Sequence, residues 1–157
     1  MVHRLIAPPP RPVVSDVDPE IYGMYSRRPG AGTTKAWEVT EALLRRLRRD
    51  VDRSGARFAV AVVPSREAVS DEAWKNLLSM TPRLDAASHD PAYPVRRIEE
   101  FLVREGIPHV ELLSPLRAAA AQSGATGYFA WDPHLDASGH AVVAAALTPF
   151  VADLLSQ

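Results

Sequence analysis

The run Phe58-Ala59-Val60-Ala61-Val62-Val63, closed by Pro64, constrains this chain more than any other stretch. It is short, apolar throughout and rich in β-branched residues, and a helical pattern stands before it. Such a run reads as a central parallel strand covered on both faces, since a strand with one wet face alternates apolar and polar residues. Parallel strands need long crossover connections, so helices are expected on either side of it.

The neighbouring patterns supply those helices. Thr33-Thr34 can act as an N-cap, after which Trp37, Leu44, Leu47 and Val51 recur at helical spacing until Gly55. Residues 71–80 predict a short helix containing Trp74, Leu77 and Leu78, and Pro82 to Pro91 a loop. Pro94 suits the first position of a helix carrying Val95, Ile98, Phe101 and Leu102, which Gly106 ends. Ile107 to Leu113 predicts a second strand, and Ser114-Pro115 leads into a helix that stops near Gly124. A last helix begins near Ser138, carries Val142, Val143, Ala146, Leu147, Phe150 and Leu154, and should kink at Pro149.

Strands alternating with helices predict an α/β fold with a parallel sheet. Two strands alone leave unpaired edges and little core. Val2 to Ile6 is a candidate third strand, but the sheet reads as incomplete.

A length of 157 residues suits one core. Residues 1–33 are rich in proline and glycine and read as an irregular arm, with the folded domain at 34–157. A net charge of -1 argues against a phosphate-binding surface, so no nucleic-acid partner is expected. The run Arg45-Arg46-Leu47-Arg48-Arg49 follows Glu38 and Glu41 on one predicted helix and reads as a solvated, ion-paired face. The absence of cysteine excludes disulfides, thiolate metal sites and cysteine nucleophiles. Met1 to Val14 holds no apolar core of signal-peptide length, and the apolar run Ala141 to Val151 is too short to cross a bilayer. A soluble chain without a membrane span, cytoplasmic by default, is the expectation.

The chemistry concentrates in Tyr128-Phe129-Ala130-Trp131-Asp132-Pro133-His134-Leu135-Asp136-Ala137-Ser138-Gly139-His140. A carboxylate two residues before a histidine can lie beside one ring nitrogen, fix the tautomer and stabilise the imidazolium formed when the other nitrogen takes a proton. Ser138 can cap the helix that follows. By spacing alone such a pair also suits an ordinary surface loop.

This stretch is similar to the last block of SGNH (GDSL-type) ester hydrolases, where Asp and His precede the final helix and a Gly-His step follows. Asp132, His134, Gly139 and His140 match the variant Asp-x-His-x-Asn-x-x-Gly-His, with Asp136 in place of Asn. That departure also fits an acidic residue at a helix N-terminus. The strand ending Val62-Val63-Pro64, the step Gly106-Ile107-Pro108 and the run Glu111-Leu112-Leu113-Ser114-Pro115-Leu116 extend the resemblance to bacterial members over about residues 36–155.

The resemblance implies a three-layer α/β/α, flavodoxin-like fold with a parallel sheet, short of its N-terminal strands. It implies that His134 is the general base and Asp132 its orienter, with His140 a packing or capping histidine. It implies a small ester or acylated carbohydrate as substrate, and no cofactor. The Gly-Asp-Ser and Gly-x-Asn motifs of the family are absent, and the one asparagine, Asn76, adjoins no glycine. Ser65, just past the first strand, is the best-placed serine, although a turn-capping role accounts for it; Ser26 and Ser114 are weaker.

One missing N-terminal half would explain both deficits. The expectation is therefore an ester hydrolase or O-acyl transferase domain, truncated or split and inactive as an isolated chain, which self-associates or meets a complementing half. Two alternatives stay open. One is a degenerate, non-catalytic binding module. The other is a metal site at Asp132, His134, Asp136 and His140.

Overall fold

Parallel pairing joins the two expected strands. In the computed structural model, which describes residues 19–156, β1 (Val60–Val62) aligns Val60 with His109, Ala61 with Val110 and Val62 with Glu111 of β2 (His109–Glu111). The Val60 N–H donates to the Pro108 carbonyl at 3.0 Å and the Leu112 N–H to the Val62 carbonyl at 3.1 Å, extending the ladder beyond both ends. Around the pair stand a 3-10 helix (Pro19–Tyr25), α1 (Ala31–Arg53), α2 (Arg66–Val69), α3 (Asp71–Met80), α4 (Tyr93–Arg104), α5 (Leu113–Ser123) and α6 (Ala137–Ser156). The chain is thus a mostly helical α/β fold with a small parallel sheet. The candidate strand at Val2 to Ile6 lies outside the described residues.

β1 is not covered on both faces as its composition suggests. Val62 is buried, but Ala61 and Val63 on the other side are exposed, because no described element packs over them.

The core lies where α4, α5 and the strand ends converge. Phe101, Leu102, Leu112 and Leu116 are almost completely enclosed, with Val62, Val95 and Ile107 beside them. On α4 the residues Val95, Ile98, Phe101 and Leu102 form one helical stripe, as their spacing requires. Gly106, at φ +60°, ends the helix: its N–H donates to the Val103 carbonyl and that of Ile107 to the Leu102 carbonyl. These two hydrogen bonds satisfy two terminal carbonyls and turn Ile107 into the core.

Between residues 19 and 33, where an irregular arm is expected, the chain is ordered by its tyrosines. Tyr22 and Tyr25 stack with ring centroids 6.4 Å apart, matching the three-residue period of a 3-10 turn. Tyr25 packs edge-on against Trp74 and is buried with Leu77 and Leu84 in a second small cluster. The helix expected from Thr33-Thr34 starts two residues earlier, at Ala31.

α1 is attached differently. None of its residues is buried, and Leu47, expected on the inner stripe, is half exposed. Arginine and carboxylate pairs hold it to α4. Glu41 takes Arg97 at 3.0 Å, Arg104 at 3.3 Å and Arg45 at 3.6 Å, and Arg45 reaches Glu105 at 2.9 Å. Arg45 and Arg104 also lie over the Phe101 ring, at 4.9 and 5.6 Å. Of the arginine run, Arg46 and Arg48 pair with Asp50 and Asp52 rather than with the earlier glutamates, and Arg45 works between helices rather than on a solvated face.

α6 is longer than the apolar run that marks it. Its 20 residues, with a mean hydropathy of 1.4 over their most apolar 18-residue stretch, are long and apolar enough to cross a membrane by length and composition alone. Here it packs Val142, Val143 and Ala146 against the core, leaves Val151 and Leu155 exposed, and continues as helix through Pro149.

Replacing the fully enclosed Leu102 by alanine should cost about 2–5 kcal/mol, the range for such core truncations. Urea unfolding is expected to show this as a lower midpoint at an unchanged slope.

Candidate functional site

Asp132 and His134 lie on the loop between α5 and α6. An antiparallel bridge between Tyr128 and Leu135 closes the loop, with the Phe129 N–H donating to the His134 carbonyl at 3.1 Å. The Asp136 N–H donates to the Gly127 carbonyl at 2.9 Å. Tyr128 fastens the loop to the body of the protein: its ring is buried and its hydroxyl donates to the Pro64 carbonyl at 2.7 Å. Burial, with Glu67 nearby, pushes this phenol from its ordinary 10.0 up to about 12.

At the tip, one carboxylate oxygen of Asp132 accepts two bonds from His134. The backbone N–H of His134 donates to Oδ1 at 2.8 Å, and the ring Nδ1 donates to the same oxygen. The backbone bond first and the ring bond second hold the Asp132 carboxyl below its ordinary value. Pro133 between the two residues limits the turn's freedom. The tautomer that donates from Nδ1 leaves Nε2 as an open acceptor. The His134 side chain is 80% exposed and that of Asp132 52%, so this nitrogen faces solvent. Trp131 (79%) and Phe129 (53%) are exposed on the same loop.

Asp136, where the family pattern has asparagine, is the cap of α6. Its Oδ1 accepts from the Ser138 N–H at 2.8 Å, the Gly139 N–H at 2.9 Å and the Ser138 hydroxyl at 2.5 Å. Those bonds, the Ser138 hydroxyl first, lower its carboxyl. Ser138, expected to cap the helix, instead donates to the residue that does: an aspartate one position before the helix reaches the free N–H groups better than a serine at its second position.

His140 lies outside the buried core. It is exposed, and its N–H makes the helical bond to the Asp136 carbonyl at 2.9 Å. Among the described residues no three His, Asp or Glu side chains come together to hold a metal ion, so the metal alternative has no site here.

The glycine of the Gly-His step has a steric purpose. A Cβ on Gly139 would lie 2.1 Å from the Gly127 carbonyl oxygen and 2.9 Å from the Leu135 side chain. Gly127, at φ +77°, meets the Gly139 Cα at 3.0 Å from its own would-be Cβ. The start of α6 therefore lies directly against the base of the loop.

The serines are elsewhere. Ser65 is the N-cap of α2, where Oγ accepts from the Ala68 N–H at 3.3 Å and from the Tyr25 hydroxyl at 3.1 Å. Ser26 accepts from the Arg28 N–H, and Ser114 stands exposed at the start of α5. Among the described residues the His134 ring bonds only Asp132. Asn76 lies on α3, as expected.

The sequence alone did not reveal Arg66. Its Nη1 donates to the Phe129 carbonyl at 3.2 Å and the Ala130 carbonyl at 2.7 Å, binding the loop from the end of β1. No motif marks it; position just past a strand's carboxyl end was the available signal.

Two outcomes test this construction. Gly139→Ala should destabilise by about 1–3 kcal/mol through overpacking. That outweighs the ~1 kcal/mol an alanine normally gains over glycine within a helix, so the sign of the thermal shift decides. Separately, the folded phenol of Tyr128 ionises later than an unfolded one. Its contribution to stability is complete below pH 10.0 and lost as pH rises through about 12. The tyrosinate absorbance of wild type minus Tyr128→Phe should therefore rise near pH 12, and a difference centred near 10 would contradict the buried bond.

No curated protein and no solved structure matches the chain. Residues 25–156 match the family model described as "SGNH hydrolase-like domain, acetyltransferase AlgX", which spans both strands, the Asp132–His134 loop and all of α6. The chain belongs to this SGNH hydrolase-like family.

Proposed function

We propose that Asp132 and His134 form the general-base pair of an ester hydrolase or O-acyl transferase whose serine and oxyanion donors come from outside the described residues. The observation that carries this reading is the double acceptance by Asp132 Oδ1, which ties up Nδ1 and leaves Nε2 open. The family description, an acetyltransferase, favours transfer of a small acyl group; an acylated carbohydrate is the substrate class we propose for it.

In this scheme His134 Nε2 takes the proton of a serine hydroxyl as its oxygen attacks the acyl carbon. Asp132 remains ionised and stabilises the imidazolium. The tetrahedral oxyanion collapses, the C–O bond to the leaving alcohol breaks, and Nε2 returns the proton to that oxygen. The acyl-enzyme is then attacked by water, giving hydrolysis, or by an acceptor hydroxyl, giving transfer, with His134 again taking and returning the proton. Asp132 lies below its ordinary 3.8, so the pair's charge arrangement is complete above that pH and fails as pH falls through the lower folded value.

The proposal includes completion of the sheet to a three-layer α/β/α arrangement by strands the described residues do not contain, arriving with the serine. The exposed Ala61 and Val63 support it. A non-catalytic binding module is the second reading, favoured by the 80% exposure of His134.

Intact-mass analysis with a fluorophosphonate probe separates the two. The isolated chain should remain unlabelled. With a complementing polypeptide, a serine on that partner should label, and His134→Ala should slow labelling by about 10²–10⁴-fold, the usual contribution of a general base. Labelling of Ser65 in the isolated chain would place the nucleophile within it, and labelling indifferent to His134→Ala would remove the base.

A further inference from the structure

We propose that Arg66 is a positioning residue for His134, a guanidinium clamp that couples the base to the carboxyl end of β1. This rests on the reading of Asp132 and His134 as a general-base pair, but its geometry is independent of turnover.

The path has two links. Arg66 Nη1 donates to the Phe129 carbonyl at 3.2 Å, and the Phe129 N–H donates to the His134 carbonyl at 3.1 Å. A second bond from Nη1 to the Ala130 carbonyl, 2.7 Å long, stops the chain from pivoting about the first. Ala130 stands two residues before Asp132, so the clamp holds the segment that enters the Asp132 turn. Glu67 orients the guanidinium from the other side, with its carboxylate 3.6 Å from Nη2. Arginine suits this task because its planar fork presents several donors at fixed angles.

Simple stabilisation does not account for the arrangement. The segment held, Phe129 to His134, is exposed throughout, so fixing it buries almost no apolar surface. The Arg66 Nε is itself buried without a hydrogen-bond partner, a cost that a purely structural tether would avoid. What the clamp secures is one conformation of a solvent-facing loop, and placement of that kind matters to proton transfer, where hydrogen-bond reach is the first requirement.

Nitrogen NMR of the His134 ring in the full chain, assigned by its loss in His134→Gln, tests the clamp. Above the imidazole titration range the wild-type ring should be mainly the Nδ1–H tautomer, because Asp132 accepts that proton. Arg66→Met should lower the ratio of Nδ1–H to Nε2–H by roughly fivefold, the equivalent of one ordinary hydrogen bond. Arg66→Gln, which keeps one planar donor group, should fall between the two and carries the test if the methionine variant does not fold. The Asp132 carboxyl should titrate higher in both, nearer its ordinary value. A folded variant of either kind with the wild-type ratio overturns the proposal. A shifted ratio beside His134-independent labelling would leave the clamp standing and remove the base reading instead.

Discussion

The hydrogen bond from the Tyr128 hydroxyl to the Pro64 carbonyl is where the core of this protein ends and its loop begins. On one side Tyr128 packs with Leu112, Leu116 and Val62; on the other the chain leaves for solvent at Phe129. Since the phenol is pushed to about 12 by burial, it keeps its proton at every ordinary pH, and the donor is always present. A solvent-facing loop cannot be held by apolar burial. It is held at its base by this bond, the Tyr128–Leu135 bridge and the contact of Gly127 with Gly139, and nearer the tip by the Arg66 guanidinium on the Phe129 and Ala130 carbonyls. Everything at the tip, including the Asp132–His134 pair, inherits its position from those anchors.

Most of the helical pattern was legible because its signals are local. Gly124 was expected to end α5, and it does so at φ +72°, with its N–H donating to the Ala120 carbonyl. Gly106 after Leu102 marks the end of α4, and both terminal bonds are made. The Asp132–His134 pair was legible for the same reason, since two residues of separation leave little freedom in how the side chains meet. Interactions between segments remote in the chain were hidden. Nothing in the order of residues shows that Arg66 reaches carbonyls sixty-three and sixty-four positions away. Nor does periodicity show that Gly139 is small because Gly127 lies against it.

Two misreadings share one cause. β1 was expected to be covered on both faces, and Ser138 to cap α6; in each case residue type was right and the surroundings were not. An apolar strand reports what it would bury if enough neighbours were present, and the described residues leave Ala61 and Val63 open. A serine at a helix start reports an ability to cap, but Asp136, one step nearer the free N–H groups, takes that place.

The way α1 is fastened sets how this protein responds to its medium. A helix of 23 residues with none buried, joined to α4 by arginine–carboxylate pairs, has little surface to release when it opens. Trp37 Nε1 and Arg97 Nε, each buried without a partner at that junction, weaken it further. Glu41, on which these pairs converge, is only 12% exposed, whereas Arg104 is 56% exposed, so dissolved salt screens the outer ends of the junction more than its centre. With no fully buried residue to hold it, α1 is the long helix whose amide protons local opening should release first, while the centre around Leu102 stays closed.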